Sequence, residues 1–257
     1  MLEEVENNLE NKEIDIEKQP PFKRFPNFKD WIYRLILFLI GMFGLDIVST
    51  IIVLIVQTIN PELLNVNSDL YITGNMLVNT IRYMLLIIVM AALLSPRLAI
   101  IGKKFMNWKT DLIGLGMGFA LVGITILYNF IIGQFIDFGT NENELLAEQM
   151  IVAYPVLSVL VLGLVGPICE EVTYRYGLFD CINKKNVVLA YIVTALVFAI
   201  IHFDFTGDMK TELLNLPSYI IAGIVLTFTY HKFGFNASII AHITNNMYAI
   251  ITTIITQ

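Results

Sequence analysis

Seven apolar stretches divide the chain, at roughly residues 31–57, 71–95, 111–136, 151–182, 187–205, 216–231 and 235–255. Most exceed the about 20 residues that a helix needs to cross a bilayer. The stretch at 216–231 is the shortest, and is expected to be tilted, re-entrant or longer than its apolar run. No strict alternation of apolar and polar positions marks a membrane barrel, and there is no internal repeat or low-complexity tract. The pattern predicts an all-α fold: a polytopic transmembrane helical bundle of about seven helices.

The polar connections alternate in charge. Lys18, Lys23, Arg24 and Lys29 precede the first stretch, whereas the next connection holds Glu62 and Asp69 without a basic residue. Arg97, Lys103, Lys104 and Lys109 follow, then Asp137, Glu142, Glu144 and Glu148. Lys184 and Lys185 come next, then a mostly acidic connection from Asp204 to Glu212 with one Lys210, then Lys232. Cytoplasmic loops carry the excess of Lys and Arg, so this alternation places the N-terminus in the cytoplasm and the C-terminus outside. It also supports an odd number of spans.

Composition agrees with a multi-pass membrane protein, expected in a bacterial cell membrane and in contact with the lipid bilayer. The 257 residues are 56% hydrophobic and 15% charged, against about 25% charge in a soluble domain. A net charge of −6 argues against a nucleic acid partner, which wants a basic face. Much of the acid excess lies in the tail, at Glu3, Glu4, Glu6, Glu10, Glu13, Asp15 and Glu17. Residues 1–30 are therefore read as a polar, disordered tail, 31–105 as accessory transmembrane helices, and 106–257 as the domain that carries the chemistry. Cys169 and Cys181 would lie about 18 Å apart along a helix, too far for a disulfide between them.

Charged groups inside an apolar span cost roughly 2.5–3.5 kcal/mol each, so they ask for a partner or a task. The fourth stretch contains Gly166-Pro167-Ile168-Cys169-Glu170-Glu171 and Arg175, the fifth contains Phe198 and His202, and the last contains His242 and Asn246. Counted at 1.5 Å per residue, Glu170 and His202 lie about 20 and 24 Å from the turn Asn183–Asn186, and His242 about 15 Å from Lys232. Three separate spans thus offer polar groups at a common depth. Glu171 and Arg175, Phe198 and His202, and His242 and Asn246 are each spaced to share a helix face. Arg175 is expected to neutralise Glu171, leaving Glu170 to face the site, while Gly166-Pro167 loosens the helix above them. Asp46 and Arg82, within the first two stretches, are read as a structural pair or a cavity lining.

Such a set suits amide hydrolysis. A carboxylate can take a proton from water, an imidazole can share it, and a His with an Asn can hydrogen-bond an oxyanion. Glu170, His202 and His242 would equally make a ligand set for zinc with an open position. Structural readings stand beside these: a buried ion pair, a capped histidine, or interhelical hydrogen bonds.

The series Glu170-Glu171-x-x-x-Arg175, then Phe198-x-x-x-His202, then His242-x-x-x-Asn246, resembles the signature of the CAAX-protease and bacteriocin-processing (Abi) intramembrane proteases, over about residues 110–255. The resemblance implies an endopeptidase acting on a membrane-associated peptide or protein. In it Glu170 activates water, His202 assists, His242 and Asn246 stabilise the oxyanion, and Glu171, Arg175 and Phe198 support the site. It leaves open a metalloprotease with zinc and a metal-free glutamate mechanism. It also leaves open prenylated substrates, and a non-catalytic immunity or regulatory protein that binds a peptide or a membrane partner.

Overall fold

The computed structural model describes residues 28–95, 107–136 and 139–256. The acidic tail and the basic residues Lys18, Lys23, Arg24, Arg97, Lys103 and Lys104, with Asp137, lie outside the described residues. Eight helices follow one another: α1 (Phe28–Ile59), α2 (Tyr71–Leu94), α3 (Trp108–Gly133), α4 (Glu142–Ala153), α5 (Pro155–Asn183), α6 (Val187–Ile200), α7 (Met209–Phe233) and α8 (Phe235–Ile255). No strand occurs among the described residues.

Six of these helices, α1, α2, α3, α5, α7 and α8, are long and apolar enough to cross a membrane. Two expectations change and one open alternative is decided. The segment 142–150, read as loop, belongs to the helix Glu142–Ala153, because Asn141 caps it by accepting from the Glu144 N–H at 2.9 Å. The stretch at 216–231 is longer than its apolar run: α7 starts at Met209, where Asp208 accepts from the Thr211 N–H at 2.8 Å. The short helix is instead α6, with 14 residues.

Local chemistry sets the other boundaries. Asn186 caps α6 through the Leu189 N–H at 3.0 Å, which closes the turn Asn183–Asn186 where the sequence placed it. Gly234, at φ +98°, separates α7 from α8 in a conformation that an L side chain resists.

The bundle packs α3 on α8, α6 on α7, and α1 on both α2 and α5. Close approach comes from small residues. A Cβ on Gly118 would lie 2.5 Å from the Thr244 Cβ and 2.7 Å from the Ala241 oxygen, and one on Gly114 would lie 2.6 Å from the Ala237 oxygen. The Gly114-x-x-x-Gly118 stripe therefore sets the α3–α8 spacing, as small residues do between membrane helices. The core around Leu37, Met76, Met90, Val161 and Val172 joins α1, α2 and α5. Ile47, Leu54, Ile88, Phe119, Leu127 and Ile192 are exposed on the outside, as a lipid-facing surface requires.

Candidate active site

The site grows from an irregular α5. Two π-helical stretches, Val159–Val165 and Glu171–Phe179, flank the α-helical turn Gly166–Glu170. Pro167 has no N–H to give to the helix, so the ladder is interrupted about a turn before the glutamates. Such π-bulges are frequent at functional sites. The loosening expected at Gly166-Pro167 is therefore a change of helical winding rather than a break.

Glu171 is fully buried, and both its oxygens are engaged. Oε1 accepts from Arg175 Nη1 at 2.8 Å and lies 2.8 Å from His242 Nδ1, while Oε2 accepts from the Ser238 hydroxyl. Arg175, also fully buried, stacks its guanidinium 4.5 Å from the centre of the Phe198 ring and reaches the Gly223 carbonyl at 3.5 Å. The expected Glu171–Arg175 pair is present, and with Phe198 it ties α5 to α6 and α7.

The carboxylate can only accept, so His242 Nδ1 carries the hydrogen toward Glu171. His242 Nε2 is thereby turned toward Glu170, whose Oε2 is 3.8 Å away. The other oxygen of Glu170 accepts from the Tyr83 hydroxyl at 3.3 Å. Glu170 thus meets the site with one oxygen held and one facing an imidazole.

His202 stands just beyond the end of α6. Its Nδ1 donates to the Phe198 carbonyl at 2.8 Å, and its ring stacks on Tyr219 at 4.6 Å between centres. Asn141 holds this region by donating to the His202 carbonyl at 3.4 Å and to the Tyr219 hydroxyl at 3.2 Å. Buried Glu212 accepts the backbone N–H groups of Glu142 and Asp204, both at 3.1 Å. No hydrogen bond or ion pair joins His202 to Glu170 among the described residues, although Glu170 acts on the His202 ring through space; the His242 ring lies 3.8 Å from a Glu170 oxygen. Asn246 donates its side-chain amide to the Leu162 carbonyl at 3.0 Å, a carbonyl in the first π-helical stretch.

The zinc alternative needs three ligands in one place. Among the described residues no three His, Cys, Asp or Glu side chains gather closely enough to hold a metal ion. Glu170, His202 and His242 as arranged do not fit that group. Asp46 and Arg82 form no ion pair with each other among the described residues. Arg82 instead places its guanidinium 5.0 Å from the Tyr83 ring centre, with Nε buried and unpartnered. Cys169 and Cys181 are both buried free thiols.

Sequence reasoning did not find Tyr83, Ser238, Tyr219, Asn141 and Glu212. Ser238 was legible in principle, being one helical turn before His242 on the same face. Tyr83 was not, because nothing along the chain pairs α2 with α5.

Residues 152–248 match the family model described as "Type II CAAX prenyl endopeptidase Rce1-like". This segment is similar to that family. It contains every motif residue from Glu170 to Asn246, so the resemblance seen in the sequence holds over this part of the chain. A Mycoplasma capricolum protein without a functional name is 28% identical over 203 residues, which cover 74% of this chain and 57% of that protein. The "UPF0177 protein YvdC" of Lactococcus lactis is 25% identical over 174 residues, 66% of this chain and 64% of its own. A Bacillus subtilis protein named "Putative membrane peptidase YdiL" is 30% identical over 154 residues, 56% of this chain and 59% of its own. The matched regions span less than two thirds of each of these three relatives. No solved structure matches. The chain is a multi-pass membrane protein, and its segment 152–248 is similar to this family of membrane endopeptidases.

Proposed function

We propose that the chain is an intramembrane endopeptidase that hydrolyses a peptide bond in a membrane-associated peptide or protein, with Glu170 as the base. The observation that carries this reading is the arrangement around His242. Glu171 fixes its Nδ1 and leaves Nε2 3.8 Å from Glu170 Oε2. That separation leaves room to one side for a water hydrogen-bonded to both groups.

In the proposed reaction, Glu170 Oε2 takes one proton from this water while its oxygen attacks the scissile carbonyl carbon. His242 Nε2 accepts a hydrogen bond from the water's other O–H, which stays intact, and so holds the lone pair toward the carbonyl. The negative charge moves to the carbonyl oxygen, and the Asn246 amide turns from the Leu162 carbonyl to donate to it. The carbon–nitrogen bond then breaks, and Glu170 returns its proton to the leaving amine. Glu171, Arg175 and Ser238 touch no reacting atom in this scheme; they orient His242. Tyr83 orients Glu170, and Phe198 supports the Arg175 guanidinium. No step uses a metal ion.

The test is cleavage of a membrane-anchored, internally quenched peptide by purified protein in nanodiscs. Glu170→Gln and His242→Ala are each expected to lower turnover by at least a thousandfold while helix content and unfolding midpoint stay close to those of the parent. Full activity in either variant would sink the assignment. Peptide binding by the parent chain with no turnover for any variant would favour the non-catalytic immunity or regulatory reading.

A further inference from the structure

The short α6 has a structural consequence at one end of the bundle. Its 14 residues reach about 21 Å, against about 30 Å of hydrocarbon. Its partner α7, with 25 residues, reaches about 37 Å. α6 starts level with the end of α5 at the turn Asn183–Asn186, so the shortfall of about 9 Å falls at its other end. There Ile201–Gly207 runs as irregular backbone. Irregular backbone at membrane depth is tolerated where it is buried in protein or lines a water-filled space.

A cavity of about 780 Å³ occupies that place, within the size range of small-molecule and peptide sites. His202 and Phe203 line it from the α6 end, Glu142 and Leu145 from α4, and Tyr71 from the start of α2. His202 joins this wall to the site through Phe198, whose ring centre lies 4.9 Å from that of His202 and 5.8 Å from that of His242. The network described above, with Asn141, Tyr219 and Glu212, holds this wall in place.

The same end of the bundle is acidic. The cavity lining includes Glu142 and Asp204 and no Lys or Arg. Glu62, Asp69, Glu148 and Asp208 lie on the connections and helix that border it, with Lys210 as the one nearby basic residue in the 201–212 segment. The opposite end carries Lys184, Lys185 and Lys232. The cavity thus opens away from the lysines, on the side that loop charges assign to the exterior. Its walls pair apolar side chains such as Leu145 and the 70% exposed Phe205 with the carboxylates of Glu142 and of Asp204, the latter accepting from Thr206.

We propose that this recess above α6 is the port by which substrate reaches the site from the acidic face, and that it takes an extended peptide segment carrying a basic residue beside apolar ones. The inference rests on the endopeptidase reading for its chemistry, but its geometry can be tested without turnover. The protein is reconstituted into vesicles sorted by orientation. An impermeant peptide of alternating Leu and Lys bearing a benzophenone is added outside and photolysed, and labelled sites are mapped by mass spectrometry. Labelling of α4 and of residues 201–208 is expected where the acidic face is outward, falling about tenfold in Glu142→Lys and with a Glu-for-Lys peptide. Labelling from the Lys184–Lys185 face, or equal labelling in Glu142→Lys, overturns the port. A quenched version of the Leu–Lys peptide is followed in the same vesicles beside Glu170→Gln. Correct labelling with cleavage unaffected by Glu170→Gln would leave the port standing and remove the reading of Glu170.

Discussion

Arg175→Met is the perturbation that most directly probes how the site is held. Arg175 and Glu171 are both fully buried and meet at 2.8 Å. Two unit charges at such a distance attract by about 6 kcal/mol at an effective dielectric near 20. Methionine keeps most of the side-chain volume but leaves the Glu171 carboxylate buried without its cation. Removing one partner of a buried pair costs about 3–5 kcal/mol, more than the pair's net worth, because the other charge stays desolvated. The hydrogen bonds from Ser238 and His242 to Glu171 persist, so the lower end of that range, about 3 kcal/mol, is expected. Adding Glu171→Gln removes the stranded charge and should restore about 2 kcal/mol; since Glu171→Gln alone strands the buried Arg175 at a similar cost of about 3 kcal/mol, the double-mutant coupling should be about 5 kcal/mol. Activity should not return, since glutamine no longer offers His242 Nδ1 a carboxylate. The assay is reversible unfolding in mixed micelles across the four proteins, with peptide cleavage measured alongside. A loss below about 1 kcal/mol in Arg175→Met, with additive effects in the double variant, would refute the buried-pair argument.

Tyr83→Phe removes the hydroxyl that holds Glu170. It is expected to lower kcat about tenfold with KM within a factor of two, since a hydrogen bond to a charged group is worth about 1.5–3 kcal/mol; an unchanged kcat would deny Tyr83 a positioning role. Gly118→Val should force α3 from α8 against the Ala241 backbone and Thr244, destabilising by roughly 2–4 kcal/mol. Activity should fall with it, because His242 is on the displaced helix; a neutral unfolding midpoint would contradict the close packing. Treatment of active protein with a strong zinc chelator, followed by metal analysis, is expected to leave turnover intact, because Glu170, His202 and His242 do not gather as a ligand set; loss of activity restored by zinc would overturn that expectation.

The helical membrane class was legible from the chain because the bilayer imposes a one-dimensional rule. Each span must satisfy its own backbone, so long apolar runs report helices without knowledge of their neighbours. The motif residues were legible for a related reason: charges in apolar runs are costly enough to stand out, and i, i+4 spacing alone paired Glu171 with Arg175. Helix ends were less so. α4 and the start of α7 depend on Asn141 and Asp208 caps, short polar signals inside segments that hydropathy reads as loop.

The assignment of partners between helices was settled only by the tertiary structure. Depth counting put Glu170, His202 and His242 in one layer but could not choose which imidazole meets which carboxylate. That choice depends on helix rotation, set by the π-helical winding of α5 and the glycine-spaced contact of α3 with α8. The structure turns His242 toward Glu170, occupies Glu171 with three partners, and brings Tyr83 from α2, outside the segment that matches the family model. Sequence records each residue's depth along its own helix; the rotation and contact of neighbouring helices are collective packing properties, and they decide what each side chain touches.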